Sequence, residues 1–163
     1  MKSIPGAATR PTPDRLRETL FDILQTRIAG VTFLDGYAGT GSVGIEALSR
    51  GAAHAYFLER NRAALDAIRE NLASLKLEHR ATVVAGPVLS GLAKYPARIV
   101  FLDPPYDQER EYSAALDLLS ENPPELTVVQ HSVRLALADS YGALGRTRTL
   151  KQSDNALSFF PSR

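Results

Sequence analysis

The chain has 163 residues and a formal net charge of +1, which suits one domain with a sizeable core and does not by itself announce a nucleic-acid binder. It has no cysteine, which excludes a disulfide framework and thiolate metal sites, and His54, His79 and His131 show no ligand spacing, so no metal is expected. No apolar run approaches a membrane span and the N-terminus lacks the apolar core of a signal peptide, so the reading is a cytoplasmic protein with no membrane partner.

The first dozen residues are rich in Pro, Gly and Ala and read as an extended arm. Thr12 is placed to cap a helix with Pro13 at its first position. Leu16, Leu20, Ile23 and Leu24 share one face of that helix, which the spacing carries to about Gly30. Val31 to Leu34 is an apolar strand closed by Asp35, and a glycine-rich loop follows. A helix is expected from Ser42 to Arg50, stopped by Gly51. His54 to Glu59 reads as a buried strand. Asn61 caps a helix whose inward face is Leu65, Ile68, Leu72 and Leu75. Ala81 to Ala85 is a short strand, and Arg98 to Asp103 is another, ending in two prolines. Glu109 to Ser120 is a helix and Leu126 to His131 a strand. Arg146 to Leu150 and Ala156 to Phe160 form a closing strand pair around Ser153-Asp154-Asn155.

Strands alternating with helices predict an α/β fold: a mostly parallel, Rossmann-like sheet covered on both sides, with an antiparallel C-terminal strand. The whole chain reads as a single domain, residues 1–30 forming the arm and first helix and 31–163 the core. In such sheets ligands sit at the carboxyl ends of the strands. Asp35, Glu59 and Asp103 all fall at such ends.

The loop contains Gly39-x-Gly41-x-x-Gly44, which as a pattern is a dinucleotide fingerprint. An acidic residue, Asp35, precedes it. A carboxylate there is poorly placed for a pyrophosphate and better placed for a cationic ligand. That favours S-adenosylmethionine, with its sulfonium and ammonium groups, over a nicotinamide. Glu59 suits ribose hydroxyls of either cofactor.

Phe101-Leu-Asp-Pro-Pro-Tyr106 is the sharper signal. Prolines leave the ladder and make a rigid turn. The Asp103 carboxylate and the Pro104 carbonyl are acceptors suited to the two N–H bonds of a planar exocyclic amine, with Pro105 stiffening the turn. They stabilise charge as a methyl group arrives. Tyr106 is placed to stack on the base. Near the N-terminus, Arg10, Arg15 and Arg17 offer guanidinium groups for phosphates. On local sequence alone, a solvated helix face with Glu18 and Asp22 as partners is the favoured reading.

Asp103-Pro104-Pro105-Tyr106, Arg10 to Leu24 (RPTPDRLRETLFDIL) and Phe33 to Ala52 (FLDGYAGTGSVGIEALSRGA) together resemble the RsmD family of bacterial 16S ribosomal RNA guanine-N2 methyltransferases. The resemblance runs from about Ile4 to Phe160. It implies a seven-stranded class I methyltransferase fold, S-adenosyl-L-methionine as donor, and one guanine of the small (30S) ribosomal subunit as acceptor. It implies a monomer. It places Asp35, Gly36, Tyr37, Ala38, Gly39, Gly41 and Arg60 around the donor, with Glu59 at its ribose. Asp103 to Tyr106 would hold the guanine amine. Arg10, Thr12, Arg15 and Arg17 would lie on the RNA side. Two departures stand out. Pro87 occupies the place of an acidic residue expected near the adenine, so that contact is lost or made by backbone. Only nine residues precede Arg10, where the family often has an extra strand pair. A DNA adenine-N6 methyltransferase shares the Asp-Pro-Pro-Tyr chemistry, a nicotinamide-dependent oxidoreductase shares the glycine loop, and a non-catalytic ribosome-binding module would share the fold. All three stay open at this stage.

Overall fold

The computed structural model describes residues 14–162. Its helices and strands are α1 (Asp14–Leu24), β1 (Thr32–Gly36), α2 (Ser42–Ser49), β2 (His54–Glu59), α3 (Arg62–Ser74), β3 (Ala81–Ala85), α4 (Val88–Leu92), β4 (Ile99–Leu102), α5 (Glu109–Ser120), β5 (Leu126–Ser132), β6 (Ser140–Tyr141), β7 (Leu144–Gly145), β8 (Arg148–Gln152) and β9 (Asn155–Pro161). Seven strands form one sheet in the order β3-β2-β1-β4-β5-β9-β8, and β6 with β7 makes a separate hairpin. β1 to β5 pair in parallel, while β9 runs antiparallel to both of its neighbours. This is the expected architecture.

Burial follows position in the sheet. All four residues of β4, Ile-Val-Phe-Leu, are buried, because a central parallel strand is covered on both faces. On one face Phe33, Phe57, Phe101, Val128 and Leu157 pack against α1, α2 and α3. On the other, Leu34, Val100, Leu102, Val129 and Phe160 pack against α4, α5 and the β6–β7 hairpin. Phe21 of α1 meets Phe33 with ring centroids 6.3 Å apart, and the Arg50 guanidinium lies 5.4 Å over Phe21. The Asn61 side chain caps α3 as expected, accepting the Ala64 N–H at 2.9 Å.

Several expectations need correction. α1 ends at Leu24, well before Gly30. Leu75 is not on a buried face: α3 ends at Ser74, and Leu75 is 48% exposed, with Lys76 beyond it in the left-handed region at φ 58°. Asp35 lies within β1 rather than closing it. Asn155 opens β9 instead of belonging to the turn, and β8 runs from Arg148 to Gln152. α4 and the β6–β7 hairpin were not foreseen. Arg17 pairs with Asp14 at 3.1 Å and with Glu46 of α2 at 3.9 Å, not with Glu18 or Asp22. Side chains three or four apart on a helix meet, whereas those one or five apart do not. Arg10, Thr12 and Pro13 lie outside the described residues. No described helix is long and apolar enough to cross a membrane.

His131 is buried between β5 and β9 in a polar chain. Its Nδ1 lies 2.9 Å from the Ser132 carbonyl, so Nδ1 carries the proton, and its Nε2 accepts from the Ser158 hydroxyl at 2.8 Å. Thr149 continues the chain at 3.2 Å from Ser158. Burial pushes the imidazole below its ordinary value of 6.5, the charges of Arg146 and Lys151 add to this, and the Ser132 carbonyl opposes it. A folded-state value below the unfolded one means the neutral ring stabilises the fold above about 6.5. That contribution is lost as pH falls below 6.5 toward the folded-state value. The melting temperature of the wild type should therefore drop more between pH 7.5 and 5.5 than that of His131→Gln, at about 2–4 °C per kcal/mol. Parallel melting curves at the two pH values check this.

Candidate active site

β1 is the switch point of the sheet, with β2 on one side and β4 on the other. Helices leave in opposite directions there and open a crevice at the carboxyl ends. A cavity of about 1070 Å³ occupies this rim, lined by Tyr37, Glu59, Arg60, Pro87, and Asp103 through Tyr106, among others. Of the two sequence motifs, Asp103 through Tyr106 line it in full, whereas the first contributes Tyr37 and none of Gly36, Ala38, Gly39 or Gly41.

The glycine loop is shaped by close approach. Gly41 has φ 83°, which a residue with a Cβ rarely adopts. Gly44 sits in the first turn of α2, against the Phe57 ring. A Cβ there would lie 2.3 Å from Phe57 Cε2. Gly44→Ala must displace the ring or the helix. It is expected to cost about 1–3 kcal/mol, read as a lower midpoint in urea unfolding with unchanged slope.

Glu59 ties the loop to the next strand. It is 4% exposed. One carboxylate oxygen accepts the Gly39 N–H at 2.8 Å; the other accepts the N–H groups of Arg60 at 2.9 Å and Asn61 at 2.7 Å. A carboxylate offers about four acceptor positions. One therefore remains, on the oxygen facing Gly39.

Asp35 is placed differently from the expectation of a ligand-facing carboxylate. It is 1% exposed, does not line the cavity, and accepts the Gly44 N–H at 2.9 Å. Burial raises its carboxyl well above the ordinary value of 3.8. The Gly44 hydrogen bond opposes this, and the charges of Asp103 and Glu59 reinforce it. Its visible task is to hold the start of α2 against β1. Gly36 and Ala38 are likewise buried, Ala38 donating to the Leu58 carbonyl at 3.0 Å. Tyr37 faces the cavity in the left-handed region at φ 61°, and its hydroxyl donates to Glu111 of α5 at 2.7 Å. Burial first, and then that donated bond, raises the phenol.

The Asp-Pro-Pro-Tyr turn leaves β4 beside this loop. The Asp103 N–H reaches the Gly36 carbonyl at 3.4 Å, prolonging the β1–β4 ladder by one rung. The Pro104 carbonyl accepts the buried Tyr112 hydroxyl at 3.0 Å, which leaves its second lone pair for a ligand. The Pro105 carbonyl accepts the Gln108 N–H at 3.1 Å and closes the turn into α5. Tyr106 is 44% exposed at the cavity.

Pro87 also lines the cavity, at the start of α4. Arg15 is exposed on α1 and Arg17 is engaged with Asp14 and Glu46; neither lines the cavity. Asn61, Val88, Leu89, Asp107, Gln108 and Glu111 line it without having been assigned to the site from sequence. Asn61 and Gln108 lie within two residues of predicted ones, so adjacency was the available signal. Among the described residues, no group of three or more His, Cys, Asp or Glu could hold a metal ion.

Strand order and the crevice at β1 and β4 place the chain, by fold, among the Rossmann-like class I methyltransferases. Within that class it belongs to the RsmD family, whose model, described as "Conserved hypothetical protein 95", matches residues 1–161. The ribosomal RNA small subunit methyltransferase D of Escherichia coli is 44% identical over 115 residues, which cover 69% of this chain and 57% of that protein. The chain thus spans little more than half the length of that relative. YlbH of Bacillus subtilis is 36% identical over 157 residues, covering 91% of this chain and 85% of YlbH. Among solved structures, yhhF from Escherichia coli superposes with a TM-score of 0.84 at 34% identity, covering 98% of this chain and 90% of that one.

Proposed function

We propose that the chain methylates the exocyclic N2 amine of a guanine in small-subunit ribosomal RNA, with S-adenosyl-L-methionine as donor and the 30S subunit as substrate. In this reading it acts as a cytoplasmic monomer. The observation that carries the proposal is the convergence on one cavity of the Asp103-to-Tyr106 turn with Tyr37 and with Glu59, the carboxylate that clamps the glycine loop. The similarity to ribosomal RNA small subunit methyltransferase D supports the choice of acceptor.

The residues present fit the donor. A Cβ at Gly39 would meet nothing within 4 Å, so open space lies beside the loop. Glu59, Asp103, Asp107 and Glu111 put four carboxylates on the cavity wall, a setting for a ligand with sulfonium and ammonium charges. The one acceptor position left on Glu59 suits a ribose hydroxyl. Pro87 offers no side-chain acceptor to the adenine. The donor would supply an electrophilic methyl group, its S–CH₃ bond breaking and the sulfonium leaving as a neutral thioether.

The chain's own groups supply position and charge. The Asp103 carboxylate and the free lone pair of the Pro104 carbonyl accept the two N–H bonds of the guanine amine. This localises the nitrogen lone pair and stabilises the positive charge that develops as the N–CH₃ bond forms. The methylated nitrogen then loses one proton to Asp103 or to water. Tyr106 stacks on the base and holds the amine in line. A guanine in an RNA loop, already partly splayed, reaches such a pocket more readily than a base in duplex.

The test is transfer of labelled methyl from S-adenosylmethionine to small subunits from cells lacking this activity, with duplex DNA as a parallel acceptor. The expected result is label in N2-methylguanosine of the ribosomal RNA. Label in DNA adenine, or in neither acceptor, would overturn the reading.

A further inference from the structure

The hairpin that closes the sheet reaches the same rim. Because β9 runs antiparallel to β5, its first residue, Asn155, lies opposite Ser132, the last residue of β5. β5 pairs with β4 in a register that sets Leu102 beside Val129. Ser132 is three residues beyond Val129, just as Pro105 is three beyond Leu102. Asn155 therefore arrives level with the Asp-Pro-Pro-Tyr turn. The β8–β9 turn has only two residues between the paired Gln152 and Asn155, and Ser153 takes φ 53° to make it. A longer turn would not define the position of Asn155 so closely.

At that level the Tyr106 hydroxyl donates to the Asn155 side-chain oxygen, across 49 residues of chain. Tyr106 is also one of two large apolar side chains that are exposed among the described residues. A stacking ring so little enclosed needs something to set its orientation. We propose that Asn155 is a positioning residue for the acceptor: it fixes the far edge of the Tyr106 ring so that the ring face meets the incoming base. The inference rests on the reading that Tyr106 stacks on that base. Without this bond the competent ring orientation is less populated, and the apparent affinity for the acceptor falls by that fraction.

A hydrogen bond of this kind is worth about a 3- to 10-fold bias. Tyr106→Phe, which keeps the ring, and Asn155→Ala should each raise KM for small subunits about 3- to 10-fold. Donor Kd should stay at its wild-type value and kcat should change little, while the melting temperature should fall by no more than the few degrees that one such bond carries, at about 2–4 °C per kcal/mol. The double variant should be no worse than either single one, since both remove the same bond. Asn155→Asp should restore KM, because a carboxylate oxygen also accepts the phenol proton. Tyr106→Ala separates the two levels of the argument. If it retains full activity, the stacking reading fails and the inference with it. If it is inactive while Tyr106→Phe and Asn155→Ala behave as wild type, stacking stands and the positioning role is overturned. Additive effects, or a fall in melting temperature that Asn155→Asp does not reverse, would also overturn it and leave Asn155 a structural tie of the hairpin.

Discussion

Asp103→Ala should reduce methyl transfer at least about 1000-fold while leaving donor binding within a few-fold of wild type. Removing one preorganised group that stabilises transition-state charge costs about 10²–10³ in kcat. Asp103 combines that role with orientation of the amine, so its loss belongs at the upper end. The backbone is expected to hold, because the Asp103 N–H bond to the Gly36 carbonyl needs no side chain. The donor is expected to stay, because the loop is clamped by Glu59, on the other side of β1. The substitution also removes one of the charges that push the buried Asp35 carboxyl upward. A variant that is inactive yet folded and donor-binding is the signature of a residue that acts on the acceptor. Single-turnover transfer, calorimetric donor titration and a melting curve on the same sample give all three readouts. Near-normal turnover would remove Asp103 from the mechanism.

The parts of the site that lie along the chain could be read from it. The buried run Ile-Val-Phe-Leu before Asp103, the glycine loop after β1, and the Asn61 cap are local chemistry, and their spacing carries them. Leu75 was misread because helical periodicity continues past the last helical residue, where nothing but the left-handed Lys76 marks the stop. α4 is five residues long, too short for a period to show. Asp35 lies one residue short of the strand end at which it was expected. What the sequence hides is that α2 turns a backbone N–H back onto it, so that it serves the loop from within rather than facing the cavity.

Glu111 and Asn155 show the other limit. Each reaches the rim only through tertiary structure, Glu111 on α5 as the acceptor of Tyr37 and Asn155 on a hairpin 49 residues from Tyr106. Nothing in the residues around them marks them. The same holds for Tyr112, whose place in an amphipathic helix reads as core, and which is core, yet carries the hydroxyl that orients the Pro104 carbonyl.

Glu59→Gln should be nearly as damaging as Glu59→Ala, and in a different way from Asp103→Ala. Three backbone N–H groups converge on this carboxylate, two on one oxygen and one on the other. An amide presents one acceptor and one donor. Whichever way it turns, its NH₂ faces at least one N–H, and that backbone donor is left buried beside another donor. Hydrogen bonds to a charged group are worth about 1.5–3 kcal/mol each, so a loss of about 2–4 kcal/mol in stability is expected. Donor affinity should fall at least about 10-fold, because a shift of 1.4 kcal/mol in the loop already gives that factor. If Gly39 is the N–H released, the glycine loop loosens; if Arg60 and Asn61 are, the start of α3 does. Amide hydrogen exchange separates these cases, since faster exchange at Gly39 or at Arg60 and Asn61 reports which contact was lost. A Gln variant with wild-type donor affinity and slow exchange at all three positions would show that the negative charge is dispensable. The clamp would then be a matter of shape, and the remaining acceptor position on Glu59 would lose its claim on the ribose.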